Sequence, residues 1–288
     1  MTTGNDPLTA VPWDTLHHAY GSAADVPDLL RALGSADEDA RGEAHYRLRG
    51  NVYHQGTRWE ASAYVVPFLV ALADEPSTPE RSLVVDLLRL VGLGDLDDRA
   101  LPFAGFPSFG EDLRRRIREL LPAFDEGEVE DDDFEVMDVA AQVWAADAYA
   151  AFTPNGEVFR RWLGDPDAEV AARAAELLAW VPTTPAIVAD LVAVPDGDGV
   201  RASANLALGH LTGEDPAVLA RLSEQLSDPS PMIRWSAAVA VALRTRPAAP
   251  PSVRRLLEAE RDPTRPVTVP GWQRPLAGFM ALALTPPG

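Results

Sequence analysis

Histidines and large polar aromatic side chains are concentrated near the N-terminal end of the sequence. Every histidine except His210 lies before residue 65. Residues 49–60 offer a hydrogen-bond donor or acceptor at almost every position, and Gly50 and Gly56 allow the backbone to turn sharply there. We therefore predict a binding site formed by residues of the N-terminal part of the chain, namely Trp13, His17, Tyr20, His45, Arg49, Asn51, Tyr53, His54, Gln55, Arg58, Trp59 and Glu60.

The spacing of these histidines favours neither a metal site nor a catalytic site. His17 and His18 are adjacent, so on a helix their side chains point about 100° apart and at most one of them joins a site with another histidine. His54 could serve as a general base oriented by Glu60 or Asp14, but a histidine that only hydrogen-bonds a neighbouring helix is the commoner case. Nucleophile elbows, phosphate-binding glycine loops and dinucleotide fingerprints are absent from the sequence. We predict no catalytic residue, no metal and no cofactor, and the question of an enzyme stays open with the balance against it.

The charge of the chain restricts its partners. The 25 basic and 44 acidic residues give a formal net charge of -19. Nucleic acids and anionic membranes attract positively charged surfaces, so both are disfavoured as partners. The absence of cysteine excludes disulfides and thiolate metal sites. The N-terminus lacks a secretory signal pattern and the longest apolar run, at 64–73, is only about half of a membrane span, which predicts a cytoplasmic protein.

A short motif recurs along the chain. An apolar residue, an arginine, two variable positions and an alanine occur at 40–44, 200–204 and 233–237, and alanine replaces the arginine at 170–174. Asp-Pro precedes two of the copies, which predicts a helix N-cap followed by a preformed first turn. The copies lie between segments of helical period, the first predicted helix covers 13–20, and only 266–270 reads as an extended segment. The sequence thus predicts helix–turn–helix units repeated about every 30–40 residues.

This motif resembles that of the HEAT and HEAT-like (PBS-lyase-type) repeat families. There the second helix of each pair carries an Asp-Pro turn, then Val-Arg-x-x-Ala-Ala and a run of leucine and alanine, and residues 164–175 and 227–238 are the closest matches. The His-Gln-Gly-Thr stretch at 54–57 and the segment that follows it, with Val-Pro-Phe-Leu at 66–69, are similar to stretches of uncharacterised bacterial HEAT-like proteins. The resemblance implies an all-α fold, a right-handed α-solenoid of stacked antiparallel helix pairs in a single domain over residues 1–288. It implies no particular activity, because such scaffolds host many.

Several segments depart from a regular repeat. The resemblance divides the chain into an N-terminal cap with the first repeats at 1–91, an aromatic loop at 92–110, an acidic loop at 125–135, C-terminal repeats at 136–262 and a C-terminal cap at 263–288. In the aromatic loop, Phe103, Phe106 and Phe109 either fill a gap in the core or form a flap over a groove. The acidic loop does not have EF-hand spacing, and we expect a solvated segment that pairs in part with the arginines at 114–118.

Two functions compete on this evidence. An acidic array of helix pairs with a long concave surface predicts a scaffold that binds a protein partner of basic charge, one version being an inhibitor of a basic toxin. HEAT-like repeats resembling these also occur in phycobilin lyases, so the alternative is a small-molecule-binding protein or a lyase-like enzyme that uses the N-terminal concavity. A flat acidic face would favour the protein partner, whereas an aromatic pocket with a buried histidine and a carboxylate would favour the small molecule.

Overall fold

The structure is a computed structural model that describes residues 6–128, 131–195, 197–213, 215–246, 248–260 and 267–285. The described chain is mostly α-helical, as the sequence predicts, and its strands form two short β-hairpins. Two compact units divide it: unit 1 consists of residues 1–95 and 104–154, and unit 2 of residues 96–103 and 155–288. None of the helices in the described ranges is both long and apolar enough to cross a membrane.

Unit 1 combines helices with the two hairpins. Its elements are β1 (His17–His18), β2 (Gly21–Ser22), α1 (Val26–Leu33), α2 (Glu38–Val52), β3 (Tyr53–His54), β4 (Thr57–Arg58), α3 (Glu60–Asp74), α4 (Arg81–Leu93), α5 (Glu111–Glu126) and α6 (Asp131–Phe152). Helix α1 packs against α2, α3 packs against α4 and α6, and α5 packs against α6. The apolar faces of α5 and α6 meet in a cluster that includes Ile117, Leu121 and Trp144.

Unit 2 contains a row of alanine-rich helices. Its elements are α7 (Gly156–Trp162), α8 (Ala168–Leu178), α9 (Pro185–Ala193), α10 (Asp198–His210), α11 (Pro216–Glu224), α12 (Pro231–Arg244), α13 (Pro251–Glu260) and α14 (Leu276–Leu284). Helix α10 contacts both α8 and α12, while α9 contacts both α7 and α11. Small side chains let α8, α10 and α12 approach one another closely, so the core of this unit lies along these three helices.

The arginines of the recurring motif share one structural role. Each donates a hydrogen bond from Nη1 to a backbone carbonyl six or seven residues upstream, in the turn before its own helix. The pairs are Arg41 with Ser35 at 3.0 Å, Arg201 with Val194 at 2.9 Å, and Arg234 with Asp228 at 2.6 Å. The motif therefore anchors the preceding turn to the helix, and it supplies donors to carbonyls that no helix or sheet satisfies.

The two aspartates of the Asp-Pro pairs that precede the motif, Asp165 and Asp228, stabilise a turn and do not cap a helix, so the N-cap prediction is wrong for them. The N-cap of α8 is Asp167, whose Oδ1 accepts the backbone N–H of Glu169 at 2.9 Å. Asp165, three residues before the helix starts, instead accepts the N–H of Asp167 at 2.9 Å. Asp228 accepts the N–H of Ser230 in the same way at 2.8 Å. Aspartate side chains commonly close such turns.

Two further expectations need correction. The helix predicted over 13–20 is wrong, because only Trp13–Thr15 forms a 3-10 turn and His17–His18 then begins the first hairpin. The acidic run at 125–135 is only partly a loop, since α5 extends to Glu126 and α6 starts at Asp131, while 129 and 130 lie outside the described residues. The expected charge pairing is confirmed by Arg116, whose Nη2 lies 2.7 Å from Oδ1 of Asp133.

The C-terminal segment packs along the helix row of unit 2. Trp272 donates from Nε1 to Oγ of Ser203 on α10 at 2.9 Å, and a Cβ at Gly271 would overlap the carbonyl of Ala172 on α8. Within the expected extended segment at 266–270, of which residue 266 lies outside the described residues, Thr268 forms a β-bridge with Pro275. The C-terminal segment thus covers α8 and α10 through Gly271 and Trp272. Its helix α14 also packs against α12.

A close approach of α10 to α12 at Gly209 predicts the effect of one substitution. A Cβ at Gly209 would lie 2.8 Å from Cα of Ala240, so we expect Gly209→Ala to lower the free energy of unfolding by about 1–2 kcal/mol despite its better helix propensity. Gly42, on the exposed side of α2 with nothing within 4 Å of such a Cβ, is the control. Gly42→Ala should raise the free energy of unfolding by about 0.5–1 kcal/mol in the same urea titration. Equal effects of the two substitutions would contradict the close packing.

Candidate binding pocket

The second β-hairpin is shaped by the two residues at its turn. Its register pairs Tyr53 with Arg58 and His54 with Thr57. Gln55 and Gly56 have φ angles of 48° and 86°, which is the left-handed pair that a two-residue hairpin turn requires. The hairpin follows directly after α2, so its first strand is held beside the last turn of that helix.

The first hairpin, the end of α2 and the second hairpin enclose a cavity of unit 1. Its volume is about 820 Å³, within the usual range for small-molecule pockets. The lining residues are His18, Tyr20, Ser22, Asp25, Tyr46, Arg47, Arg49, Gly50, Asn51, Tyr53, His54, Gln55 and Gly56. We call this cavity the hairpin pocket.

A buried histidine and a carboxylate form one wall of the hairpin pocket. His18 is 4% exposed, and its Nδ1 accepts the backbone N–H of Tyr20 at 3.0 Å. The ring proton is therefore assigned to Nε2, which donates to Oδ1 of Asp25 at 3.0 Å. Asp25 also accepts from Arg47 at 2.9 Å and from Asn51 at 3.1 Å. Because both nitrogens of His18 are engaged, this network holds the first hairpin against α2 and leaves His18 no free nitrogen for a ligand.

The mouth of the hairpin pocket is aromatic and carries a free ring nitrogen. Tyr20 and Tyr46 are 67% and 77% exposed. The hydroxyl of Tyr20 lies 3.2 Å from Nδ1 of His54, and the two rings meet edge to face with centroids 5.2 Å apart. No protein group in the described ranges hydrogen-bonds Nε2 of His54. This nitrogen can therefore donate to or accept from a bound molecule.

Tyr53 and Arg49 add a neutral phenol and an available cation to the lining of the hairpin pocket. Tyr53 donates its hydroxyl proton to Asp95, and burial followed by this carboxylate raises the pKa of Tyr53 to about 12. Its phenol accordingly stays protonated at neutral pH. Arg49 is exposed and has no ion-pair partner among the described residues, in contrast to Arg47, which is paired with Asp25. The lining residues carry two guanidinium groups against one carboxylate, and a second carboxylate, that of Asp95, lies directly behind Tyr53 and Gly56.

Arg58 is the last residue of the second hairpin and does not line the hairpin pocket. Its side chain is buried, its guanidinium lies 5.5 Å from the ring centroid of Phe106, and burial lowers its pKa. Gly94, at φ 60°, passes so close that a Cβ there would overlap the guanidinium. Arg58 thus joins the hairpin to the start of the aromatic loop, which the structure places after α4.

The three phenylalanines of that loop are half-buried and each packs on other apolar side chains. The ring of Phe106 meets that of Tyr149 edge to face at 5.7 Å, and Phe109 packs against the cluster between α5 and α6. In unit 2, Phe103 lies 6.3 Å from the ring of Trp180. These contacts are the kind that the gap-filling alternative requires, and none of the three rings lines the hairpin pocket.

The structure brings together half of the residues that the sequence singles out. Tyr20, Arg49, Asn51, Tyr53, His54 and Gln55 line the hairpin pocket. The others lie elsewhere in unit 1. Trp13 is buried and donates to the carbonyl of Leu8, His45 lines a separate cavity of about 430 Å³, and Trp59 stacks on Trp144. His17 and Glu60 lie together, with His17 Nδ1 3.8 Å from Glu60 Oε2.

Sequence reasoning missed Tyr46 and Arg47, although a signal for them exists. On α2, Arg49 and Gly50 lie three and four residues after Tyr46, and Tyr53 comes three residues after Gly50. Residues at these spacings share a helix face, so they indicate a common lining. Asp25 carried no such signal, because it reaches the site from the 3-10 turn Ala23–Asp25.

The comparisons with known proteins leave the geometry as the basis for function. No protein-family model matches the sequence, and no curated protein is significantly similar to it. Across the described ranges, no three histidine or acidic side chains are grouped closely enough to hold a metal ion.

Proposed function

We propose that the chain is a HEAT-like α-solenoid that acts as a binding protein. The repeated role of the motif arginines supports repeat units, because three turns are anchored by the same bond. The contacts in unit 2 support stacked helix pairs, since α8, α10 and α12 follow one another in one row and α7, α9 and α11 in another.

We further propose that the hairpin pocket binds a small molecule that carries a planar ring and an anionic group. The observation that carries this proposal is the tyrosine-lined cavity of about 820 Å³, in which a fixed His18–Asp25 wall stands beside the guanidinium of Arg49, a group with no ion-pair partner among the described residues. The rings of Tyr20 and Tyr46 offer faces for stacking, and Arg49 offers an unpaired guanidinium to a carboxylate or a phosphate. Nε2 of His54 and the hydroxyl of Tyr53 supply the polar contacts that fix orientation.

The net charge of -19 supports a second candidate, a basic protein partner such as a cationic toxin. Its expected docking surface is the concave face formed by the second helices. In unit 2 these helices are covered in part by the chain itself, because Trp272 packs on α10. The guanidinium of Arg49 also opposes a basic peptide in the hairpin pocket. The geometry therefore favours the small molecule over the protein partner.

Calorimetric titration of the full chain with aromatic carboxylates, nucleoside monophosphates and the uncharged amides of the carboxylates tests this function. We expect binding of an anionic member, and at least about tenfold weaker binding of its uncharged counterpart because the charge-assisted hydrogen bond to Arg49 is lost. Arg49→Gln should weaken binding by a similar factor. Arg115→Gln is the matched control, since Arg115 is an exposed arginine of unit 1 outside the hairpin pocket.

Two results would argue against the small molecule. One is that no anion gives a heat of binding at concentrations up to about 10 mM, because the affinity would then be weaker than that of a specific site. The other is salt-sensitive binding of an arginine-rich peptide that Arg49→Gln leaves unchanged, which would favour the basic protein partner.

A further inference from the structure

A second cavity of unit 1 lies between the start of α3 and the helices α5 and α6. Its volume is about 380 Å³. Its lining includes Glu60, Tyr64, Arg114, Arg118, Trp144 and Asp147. None of these residues lines the hairpin pocket, so the two cavities are separate sites.

Glu60 and Arg118 form an open ion pair in this second cavity. The side chain of Glu60 is only 10% exposed, and its Oε2 accepts the backbone N–H of His17 at 3.3 Å. The nearest cation to Oε1 is Nη1 of Arg118, at 3.9 Å, which is too long for a hydrogen bond. Burial raises the pKa of Glu60, and the backbone N–H of His17, the guanidinium of Arg118 and the imidazole of His17 together offset only part of this effect. Each charged group therefore has unused hydrogen-bonding capacity toward the cavity.

The other charged pair of the second cavity is closed. Arg114 donates from Nε to Oδ2 of Asp147 at 3.1 Å and from Nη2 to Oδ1 at 2.5 Å. A bidentate pair of this kind satisfies both partners and acts as a fixed wall. The contrast with the open pair identifies Glu60 and Arg118 as the groups that can receive a ligand.

Aromatic and aliphatic side chains form the rest of the second cavity. Trp144 stacks on Trp59 with ring centroids 5.1 Å apart, which fixes its indole in place. Tyr64 is 42% exposed on α3, and Ile117 and Val143 add apolar surface. An apolar or aromatic side chain of a ligand would be desolvated against this surface.

We propose that the second cavity binds a free amino acid with an aromatic or large aliphatic side chain. Its ammonium group would bind Oε1 of Glu60, its carboxylate would bind Arg118, and its side chain would pack against Trp144 and Tyr64. A zwitterion places an opposite charge beside each member of the open pair. A simple amine would be repelled by Arg118, and a simple carboxylate would be repelled by Glu60, because the charges are alike. This site goes beyond the hairpin pocket and does not depend on it.

Isothermal titration of the full chain with L-phenylalanine, L-tryptophan, L-leucine and L-methionine tests the proposal. We expect at least one of them to bind, and the analogues that lack one charge, phenethylamine and 3-phenylpropionate for L-phenylalanine, to bind at least about tenfold more weakly. Glu60→Gln and Arg118→Gln should each weaken the amino acid by about tenfold or more. Glu111→Gln is the matched control, because Glu111 is an 84% exposed acid at the rim of the same cavity and its loss should change affinity less than about twofold.

Glu60→Gln retains an oxygen that can accept the N–H of His17, and thermal unfolding of the variant establishes that it is folded. Absence of binding for all four amino acids up to about 10 mM would overturn the proposal. So would equal affinities for L-phenylalanine and phenethylamine, because Arg118 would then take no part. If Glu111→Gln weakened amino-acid binding as much as Glu60→Gln does, the loss of affinity would reflect general electrostatics. That result would also overturn the proposal.

Discussion

Replacing Arg201 by alanine should lower the free energy of unfolding by about 3–5 kcal/mol, because it removes a fully buried guanidinium and leaves its acceptors without donors. Arg201 donates from Nη1 to the carbonyls of Val192 and Val194 and from Nε to Oδ1 of Asn205. The first two bonds satisfy carbonyls at the end of α9. Asn205 in turn donates to Oγ of Ser236 on α12, so the substitution affects three helices.

Arg234→Ala is the matched control, because Arg234 occupies the same motif position in the same unit. It is half-buried and its guanidinium bonds the carbonyl of Asp228. Its loss should cost about 1 kcal/mol. Urea unfolding followed by circular dichroism measures both variants. If Arg201→Ala comes within about 1 kcal/mol of Arg234→Ala, the buried bonds do not carry the stability assigned to them.

The repeated motif shows which part of the fold the sequence can predict. An arginine that follows an apolar residue at the start of a helix recurs at 41, 201 and 234, and each copy makes the same bond to the preceding turn. Local spacing determines this arrangement, so one sequence suffices to find it. The all-α class follows from the same periodicity.

The N-terminal segment shows where the same reasoning fails. Residues 13–20 have apolar spacing compatible with a helix, yet His17 and His18 pair with Ser22 and Gly21 in a hairpin. Gly21 has a φ of 104°, a conformation that glycine adopts without strain and that ends any helix. A short hairpin leaves too few residues for an alternating pattern, so periodicity cannot detect it.

The sequence predicts only some of the residues that line the hairpin pocket, because these residues come from two sources. Tyr53, His54 and Gln55 are consecutive, and their polar character was visible in the sequence. The partners that fix the pocket are remote: Asp95 lies 42 residues from Tyr53, and Asp25 lies 26 residues from Asn51. Tertiary packing alone brings such carboxylates together with their donors, so spacing along the chain does not reveal them.

His210 should make the folded chain sensitive to acid. It is 6% exposed, its ring stacks on Trp272, and no group in the described ranges hydrogen-bonds its Nε2. Burial, with smaller contributions from the guanidinium groups of Arg246 and Arg274, lowers its pKa from 6.5 to about 3. The unfolded chain thus binds a proton below pH 6.5 that the folded chain binds only near pH 3.

The free energy of unfolding should therefore fall with decreasing pH by up to about 1.4 kcal/mol per pH unit below 6.5, or about 2 kcal/mol between pH 7 and pH 5, from this histidine alone. Urea unfolding of the wild-type chain and of His210→Gln at pH 7, 6 and 5 isolates the contribution, because every other titrating group is common to both. The glutamine variant should be less stable at pH 7, where it lacks the stacking of the imidazole on Trp272, and should lose about 2 kcal/mol less on acidification. Parallel pH profiles for the two proteins would show that His210 has the same pKa in the folded and the unfolded chain, and the lowered pKa of the buried imidazole would have to be abandoned.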